Sequence, residues 1–257
     1  MSTAQSRIVS LVPSLTETLL HFGVGDALVG RTRYCVEPAG TVERIETVGG
    51  TKNPDIQRIV ALAPDLVVVN KEENRIEDWQ ALVDAGLDVM VTHPRTVADA
   101  ADMIEELGQR AGAADAGQRL ATECRDALAR TLRARAGCAK IRTFCPIWRN
   151  PWMTFLRTTY IGDVLETVGL ENIFGDEARE GDFFEIDVDE ALARNPEIIV
   201  LPDEPYVFGR KHGEELHARG AKAQIFYVDG KDLCWYGPRI ARALTRLLKI
   251  TEVISRI

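Results

Sequence analysis

Hydrophobic and polar positions along the chain form one phrase written twice. Residues 56–69 read IQRIVALAPDLVVV and residues 188–201 read VDEALARNPEIIVL. In each copy, apolar positions first recur at helical spacing, and then Pro64 or Pro196 blocks continuation. An acid follows, Asp65 or Glu197. The apolar run after it has strand length and is too continuous for a strand with one wet face. The pattern predicts two similar α/β halves, with the acidic markers about one domain's length apart. Ligands of such architectures sit at strand ends, in a crevice, so the repeat points to a cleft.

Further elements flank the repeat. Arg7 to Val12 reads as a buried strand, and Ser14 with Glu17 reads as a capping box opening a helix that stops at Gly23. Ala27–Thr32 is a second strand. Leu66–Val69 empties into a polar loop, followed by a helix around Ile76–Ala85, a strand at Val89–Thr92 and a helix capped by Thr96. From Asp115 to Arg135 there is no proline, and Leu120, Cys124, Leu128 and Leu132 recur at intervals of four. This predicts one long amphipathic helix of about five to six turns, a stiff spacer and not a flexible linker. The expected organisation is an N-terminal lobe over 1–112, a connecting helix over 113–137 and a C-terminal lobe over 138–257. In the second lobe the expected elements are strands at Ile141–Ile147 and Gln224–Val228, a helix at Tyr160–Val168, a loop at Asp229–Gly237 and a closing helix from Pro238.

Composition removes several function classes. The 257 residues are 46% hydrophobic and 27% charged, ordinary for a globular protein, and the net charge of −8 disfavours nucleic acid as a partner. No run approaches the roughly 18 apolar residues of a membrane span, so no membrane insertion is expected. The first seven residues, MSTAQSR, lack the basic and apolar regions of a leader. An extracytoplasmic location is expected if a leader has been replaced by the start Met, and a cytoplasmic one if Met1 is the native start. The five scattered cysteines are not a disulfide framework. A monomer is expected.

No Walker A loop, nucleophile elbow, His-Glu-x-x-His or Cys-x-x-Cys occurs, and the four histidines lack ligand spacing, so no catalytic residue and no protein-only metal site are expected. Aromatic side chains carry the signal instead. Tyr34, Trp148, Trp152, Tyr206, Trp235 and Tyr236 fall just after predicted strands. Broad rings with polar tips suit a large flat ligand, and Lys52, Lys71, Arg149 and Arg210 are available for its carboxylates, amides or phosphates. The bland alternative is that Trp152, Trp235 and Tyr160 plug the lobe cores. Glu72-Glu73 and Asp203-Glu204 occupy equivalent loops, where solvated rim charge is the simpler reading than acid and base work. Asp55, Asp189 and Glu190 begin the repeated helices, where the dipole favours acids.

At these residues the chain resembles the helical-backbone ABC-transporter solute-binding proteins, and within them the cobalamin-binding branch. RIVSLVPSLTE at Arg7–Glu17, VGGTKNPD at Val48–Asp55, and WRNPWMT at Trp148–Thr154 with GLENIF at Gly169–Phe174 carry the resemblance. It implies an α/β fold of two Rossmann-like lobes with central parallel sheets, joined by a long rigid backbone helix, with the ligand cleft between the lobes. It implies a substrate-binding protein of an ABC import system without enzymatic activity. The ligand is then a corrinoid such as cobalamin, or another metal chelate such as haem or a siderophore, and any metal arrives with the ligand. Tyr34 and Phe183 keep aromatic character at family contact positions, whereas Thr51 stands where an aromatic often stacks. Family members dock on an arginine-bearing permease through one acid per lobe. Asp189 matches the second-lobe position, the first-lobe position is Gln57, and Asp55 lies two residues earlier. The expected ligand set is Tyr34, Lys52, Lys71, Trp148, Arg149, Trp152, Phe183, Glu204, Tyr206, Trp235 and Tyr236. The alternative reading is a cytoplasmic protein or enzyme that handles a tetrapyrrole or other cofactor without a transporter.

Overall fold

The computed structural model describes residues 6–254, so residues 1–5, where a leader was sought, lie outside the described part. The chain divides into two compact units. The first is built from residues up to Pro94, Asp99–Glu123 and Tyr236–Pro238, and the second from Arg95–Ala98, Cys124–Trp235 and the remainder.

The first unit runs β1 (Ile8–Ser10), α1 (Pro13–His21), β2 (Leu28–Arg31), β3 (Gly49–Gly50), β4 (Asn53–Pro54), α2 (Ile56–Ala61), β5 (Leu66–Asn70), α3 (Ile76–Asp84) and β6 (Val89–Thr92). Then come α4 (Val97–Arg110) and α5 (Ala114–Arg135), the latter passing from the first unit to the second after Glu123. The second unit contains β7 (Ile141–Phe144), β8 (Met153–Phe155), α6 (Tyr160–Val168), β9 (Leu170–Asn172), β10 (Phe183–Glu185) and α7 (Val188–Ala193). It closes with β11 (Ile198–Pro202), α8 (Arg210–Ala218), β12 (Gln224–Val228), α9 (Lys231–Cys234) and α10 (Ile240–Ile254).

The written repeat is a structural repeat. Both sheets are four-stranded and parallel, ordered β2-β1-β5-β6 and β9-β7-β11-β12, so β5 and β11 occupy the same place. The proline-acid pair does the same work twice. Ala63 and Asn195, just before the prolines, turn the chain at φ of 45° and 52°. Asp65 then accepts from the Arg7 amide and Glu197 from the Arg142 amide, both at 2.8 Å, while the Arg7 and Arg142 guanidinium groups reach the carbonyls of Leu62 and Arg194. Each acid thus aligns the first strand of its sheet beside the repeated strand. The apolar strand residues close one core of Val9, Leu11, Ile59, Val67, Val69 and Leu82, and another around Phe144, Phe174, Ile199, Leu201 and Leu216.

Three local expectations are corrected. Helix α1 begins at Pro13 with Val12 at its N-cap and no side-chain cap; the proline fills the first helical position, and the Ser14 hydroxyl is buried without a partner. Along α5 the buried stripe is Leu120, Ala121, Cys124, Ala127 and Thr131, while Leu132 is 51% exposed. Each step of four residues overshoots a 3.6-residue turn by about 40°, and three such steps carry the interval-of-four series out to solvent. The segment read as a loop at Asp229–Gly237 contains the one-turn helix α9.

Gly117, the single glycine inside α5, is explained by Gly108 of α4. A Cβ at Gly117 would stand 2.8 Å from the Gly108 Cα, and backbone cannot step aside. Gly to Ala within a helix ordinarily stabilises by about 0.5–1 kcal/mol. Here the sign is expected to reverse, with Gly117→Ala lowering stability by about 1–3 kcal/mol as the two helices are forced apart. Urea unfolding followed by circular dichroism measures it, and a stabilised variant would refute the close crossing.

Candidate functional site

The second unit gathers the aromatic residues at one place. The loop after β7 folds back through a tight turn in which the Met153 amide donates to the Trp148 carbonyl at 3.1 Å and Asn150 takes a φ of 66°, a left-handed conformation that Asn tolerates. This reversal separates two tryptophans four residues apart. Trp148 is left 42% exposed, while Trp152 turns inward to 9% and stacks on Phe208, with ring centroids 5.7 Å apart and planes 19° apart.

The loop after β11 meets them. Tyr206 stands edge-on to Trp148 at 5.6 Å and packs on Phe208 at 4.8 Å. Beneath it, His212 in the first turn of α8 is 3% exposed and presents its ring edge-on to Tyr206 and Phe208. Its Nδ1 accepts from the Gly209 amide at 2.9 Å, and its Nε2 lies 3.4 Å from the Tyr206 hydroxyl. Arg149 holds Glu215 at 2.8 Å through Nη2, which raises its pKa most and keeps it cationic, and the Tyr206 hydroxyl adds to the same shift. Tyr206 and His212 line an open cavity of about 620 Å3 with Arg210 and Lys211 at its rim. The result is an exposed tryptophan, a half-buried tyrosine and a cluster of cations: a surface for a broad ligand with polar edges.

Several expected contact residues lie elsewhere. Trp152 belongs to the second core and not to a ligand surface. Trp235 is 8% exposed, donates from Nε1 to Glu204 at 2.9 Å and sits between Lys231 and Arg239, so its ring faces are covered. Glu204 is thereby committed to that bond, and burial raises its pKa against the opposing pull of Lys231 and Trp235. Tyr236 is 3% exposed. Trp152 turns into the protein because its loop doubles back, and Trp235 and Tyr236 because α9 intervenes between β12 and them, features that strand-end position alone does not encode. Phe183, on β10 opposite Phe155, keeps 36% exposure.

In the first unit Tyr34 is 56% exposed with Arg33 over its ring. Lys52 donates to the Glu72 carbonyl at 2.8 Å, tying the β3–β4 turn to the loop after β5. That loop is ordered by Asn70, whose side chain accepts from the amides of Glu72 and Glu73. Lys71 borders an apolar cavity of about 220 Å3 with Ile76, Trp79 and Val91. Trp79 lies within α3, and Phe208, in the same loop as Tyr206, lacks the polar tip by which the sequence marks strand-end aromatics. His212 could have been found from its spacing, three residues after Gly209 at a helix start. Among the described residues no three His, Cys, Asp or Glu side chains gather as a metal site, and no helix is long and apolar enough to cross a membrane.

Two parallel-sheet units with loops at the strand ends and a long helix passing from one to the other define a solute-binding protein, and the chain belongs to the periplasmic binding protein family, whose sequence model matches residues 8–215. The Vitamin B12-binding protein of Salmonella typhimurium is 30% identical over 198 residues, 77% of this chain and 73% of that protein. The Vitamin B12-binding protein of Vibrio parahaemolyticus is 28% identical over 196 residues, 75% of this chain and 69% of that protein. The crystal structure of the periplasmic vitamin B12 binding protein BtuF of Vibrio cholerae shares the fold with a TM-score of 0.84 and 24% identity, covering 98% of both chains. The periplasmic heme-binding protein RhuT of Roseiflexus sp. RS-1 shares it with a TM-score of 0.82 and 22% identity, covering 96% of this chain and 97% of that one.

Proposed function

We propose that this chain is the substrate-binding protein of an ABC import system and captures a corrinoid of the cobalamin type outside the cytoplasm. The observation that carries the reading is the exposed Trp148 ring against the half-buried Tyr206, with Arg149 beside them, at the strand ends of a chain whose relatives over three quarters of its length are vitamin B12-binding proteins. A corrin ring is broad, and its rim carries amide groups. The pair offers it aromatic area, and Arg149, Tyr206 and Lys211 offer donors to the amide carbonyls.

Phe183 in the second unit and Tyr34, Lys71 and Lys52 in the first are the other proposed contacts. Tyr34 and Phe183 retain exposed rings, and Lys71 is exposed beside an apolar cavity. The chain binds and releases, without a catalytic residue or a cofactor of its own, and the cobalt comes with the ligand. Asp189, exposed in the first turn of α7 and 3.0 Å from Arg219, and Asp55, exposed at the N-cap of α2, are the proposed carboxylates for meeting a permease. Charge pairs of this kind chiefly set encounter rate and register.

An absorbance titration decides the ligand. Cyanocobalamin is expected to bind with one-to-one stoichiometry and to compete with other corrinoids, while haemin binds more weakly. Saturable haemin binding with no response to cyanocobalamin would replace the corrinoid reading by a haem one.

A further inference from the structure

His212 is the one buried histidine of the second unit, and its hydrogen bonds assign its tautomer. Because the Gly209 amide donates to Nδ1, that nitrogen carries a lone pair, and the neutral ring has its proton on Nε2. Nε2–H therefore donates toward the Tyr206 oxygen at 3.4 Å. Arg149, which also interacts with that hydroxyl, has no acceptor. Neither neighbour can receive the phenol proton. The phenol proton is therefore free for an acceptor outside this pair, and Tyr206 lines the open cavity.

We propose that His212 is the positioning residue of this aromatic site: it commits Tyr206 as a hydrogen-bond donor to ligands bearing carbonyl or carboxylate oxygens at their edge, and protonation of its ring dismantles the arrangement. A proton added at Nδ1 would face the Gly209 amide, donor against donor, and would cancel the bond that starts α8. The surroundings oppose that proton. Burial lowers the His212 pKa most, the cations Lys211 from α8 and Arg149 from the loop after β7 lower it further, and Glu215 with the Gly209 backbone pulls the other way. Tyr206, from the loop after β11, is the remaining titratable group against the ring. For a base with a folded-state pKa below its ordinary value, the arrangement holds at neutral pH and is lost as pH falls through the lowered value, below about 6.5.

The ligand class rests on the function proposed above, whereas the tautomer and its titration do not, so two measurements separate them. In the ligand-free protein, long-range proton–nitrogen NMR of the His212 ring is expected to show Nε2 protonated and Nδ1 bare at pH 7.5. An Nδ1-protonated ring would overturn the proposal. With cyanocobalamin as the probe, wild-type affinity is expected to weaken on acidification, by up to about tenfold per pH unit below the folded pKa for a single linked proton. His212→Asn keeps an oxygen to accept from Gly209, so α8 stays capped, but it removes both the Nε2 donor and the titration. It is expected to bind severalfold more weakly at pH 7.5, with that pH dependence lost. A variant that keeps the wild-type pH profile would also overturn the proposal. Should the wild type bind no corrinoid at any pH, the proposed function fails, and the NMR result still decides the role of His212.

Discussion

Trp152→Ala is expected to lower the unfolding free energy by about 3–5 kcal/mol, the cost of emptying a large aromatic site in a close-packed core. The ring is 9% exposed, stacks on Phe208 and belongs to a cluster with Phe144, Phe174 and Phe184. None of these neighbours can collapse into the space without leaving its own contacts, so little of the cavity is recovered. Trp152→Phe retains the stack and most of the volume and should cost far less. Urea unfolding monitored by circular dichroism measures both variants. A loss below about 1 kcal/mol for the alanine variant would place the ring at a surface and restore Trp152 to the ligand contacts.

Trp148→Ala should have the opposite profile, with stability nearly unchanged and affinity for cyanocobalamin reduced by about 1–3 kcal/mol, roughly five- to 150-fold in Kd. Trp148 is 42% exposed in the free protein, belongs to neither buried core cluster and meets Tyr206 edge-on. Its face is available to a flat ligand, which would bury the remaining area and gain a stacked contact. Calorimetry on a variant shown to be folded separates the effects. Unchanged affinity would remove the aromatic pair from the binding surface and with it the main support for the proposed function.

These two tryptophans mark where sequence reading ended. Both follow β7, both sit in WRNPW, and local rules treat them alike. Their fates part because Asn150 reverses the chain between them, and the hydrogen bonds of that turn involve residues whose pairing is not written in a hydrophobic pattern. Trp235 differs for a similar reason: α9 turns its ring onto Glu204, a partner 31 residues earlier.

The repeated phrase by itself determined two similar α/β halves, each with a short helix, a proline stop and a buried strand, because periodicity of 3.6, a proline stop and an apolar run are local properties. The matching place of β5 and β11 in their sheets came from the fold. The phrase also marked Asp65 and Glu197 without revealing that each aligns its sheet through the amide of Arg7 or Arg142. Tertiary structure alone decided which strand-end aromatics face outward, why a glycine sits inside α5, and that His212 is enclosed beneath Tyr206 and not solvated. Each of those depends on two or more segments meeting in space. Hydrophobic spacing reports only whether a side chain is turned toward the protein, not which partner waits there.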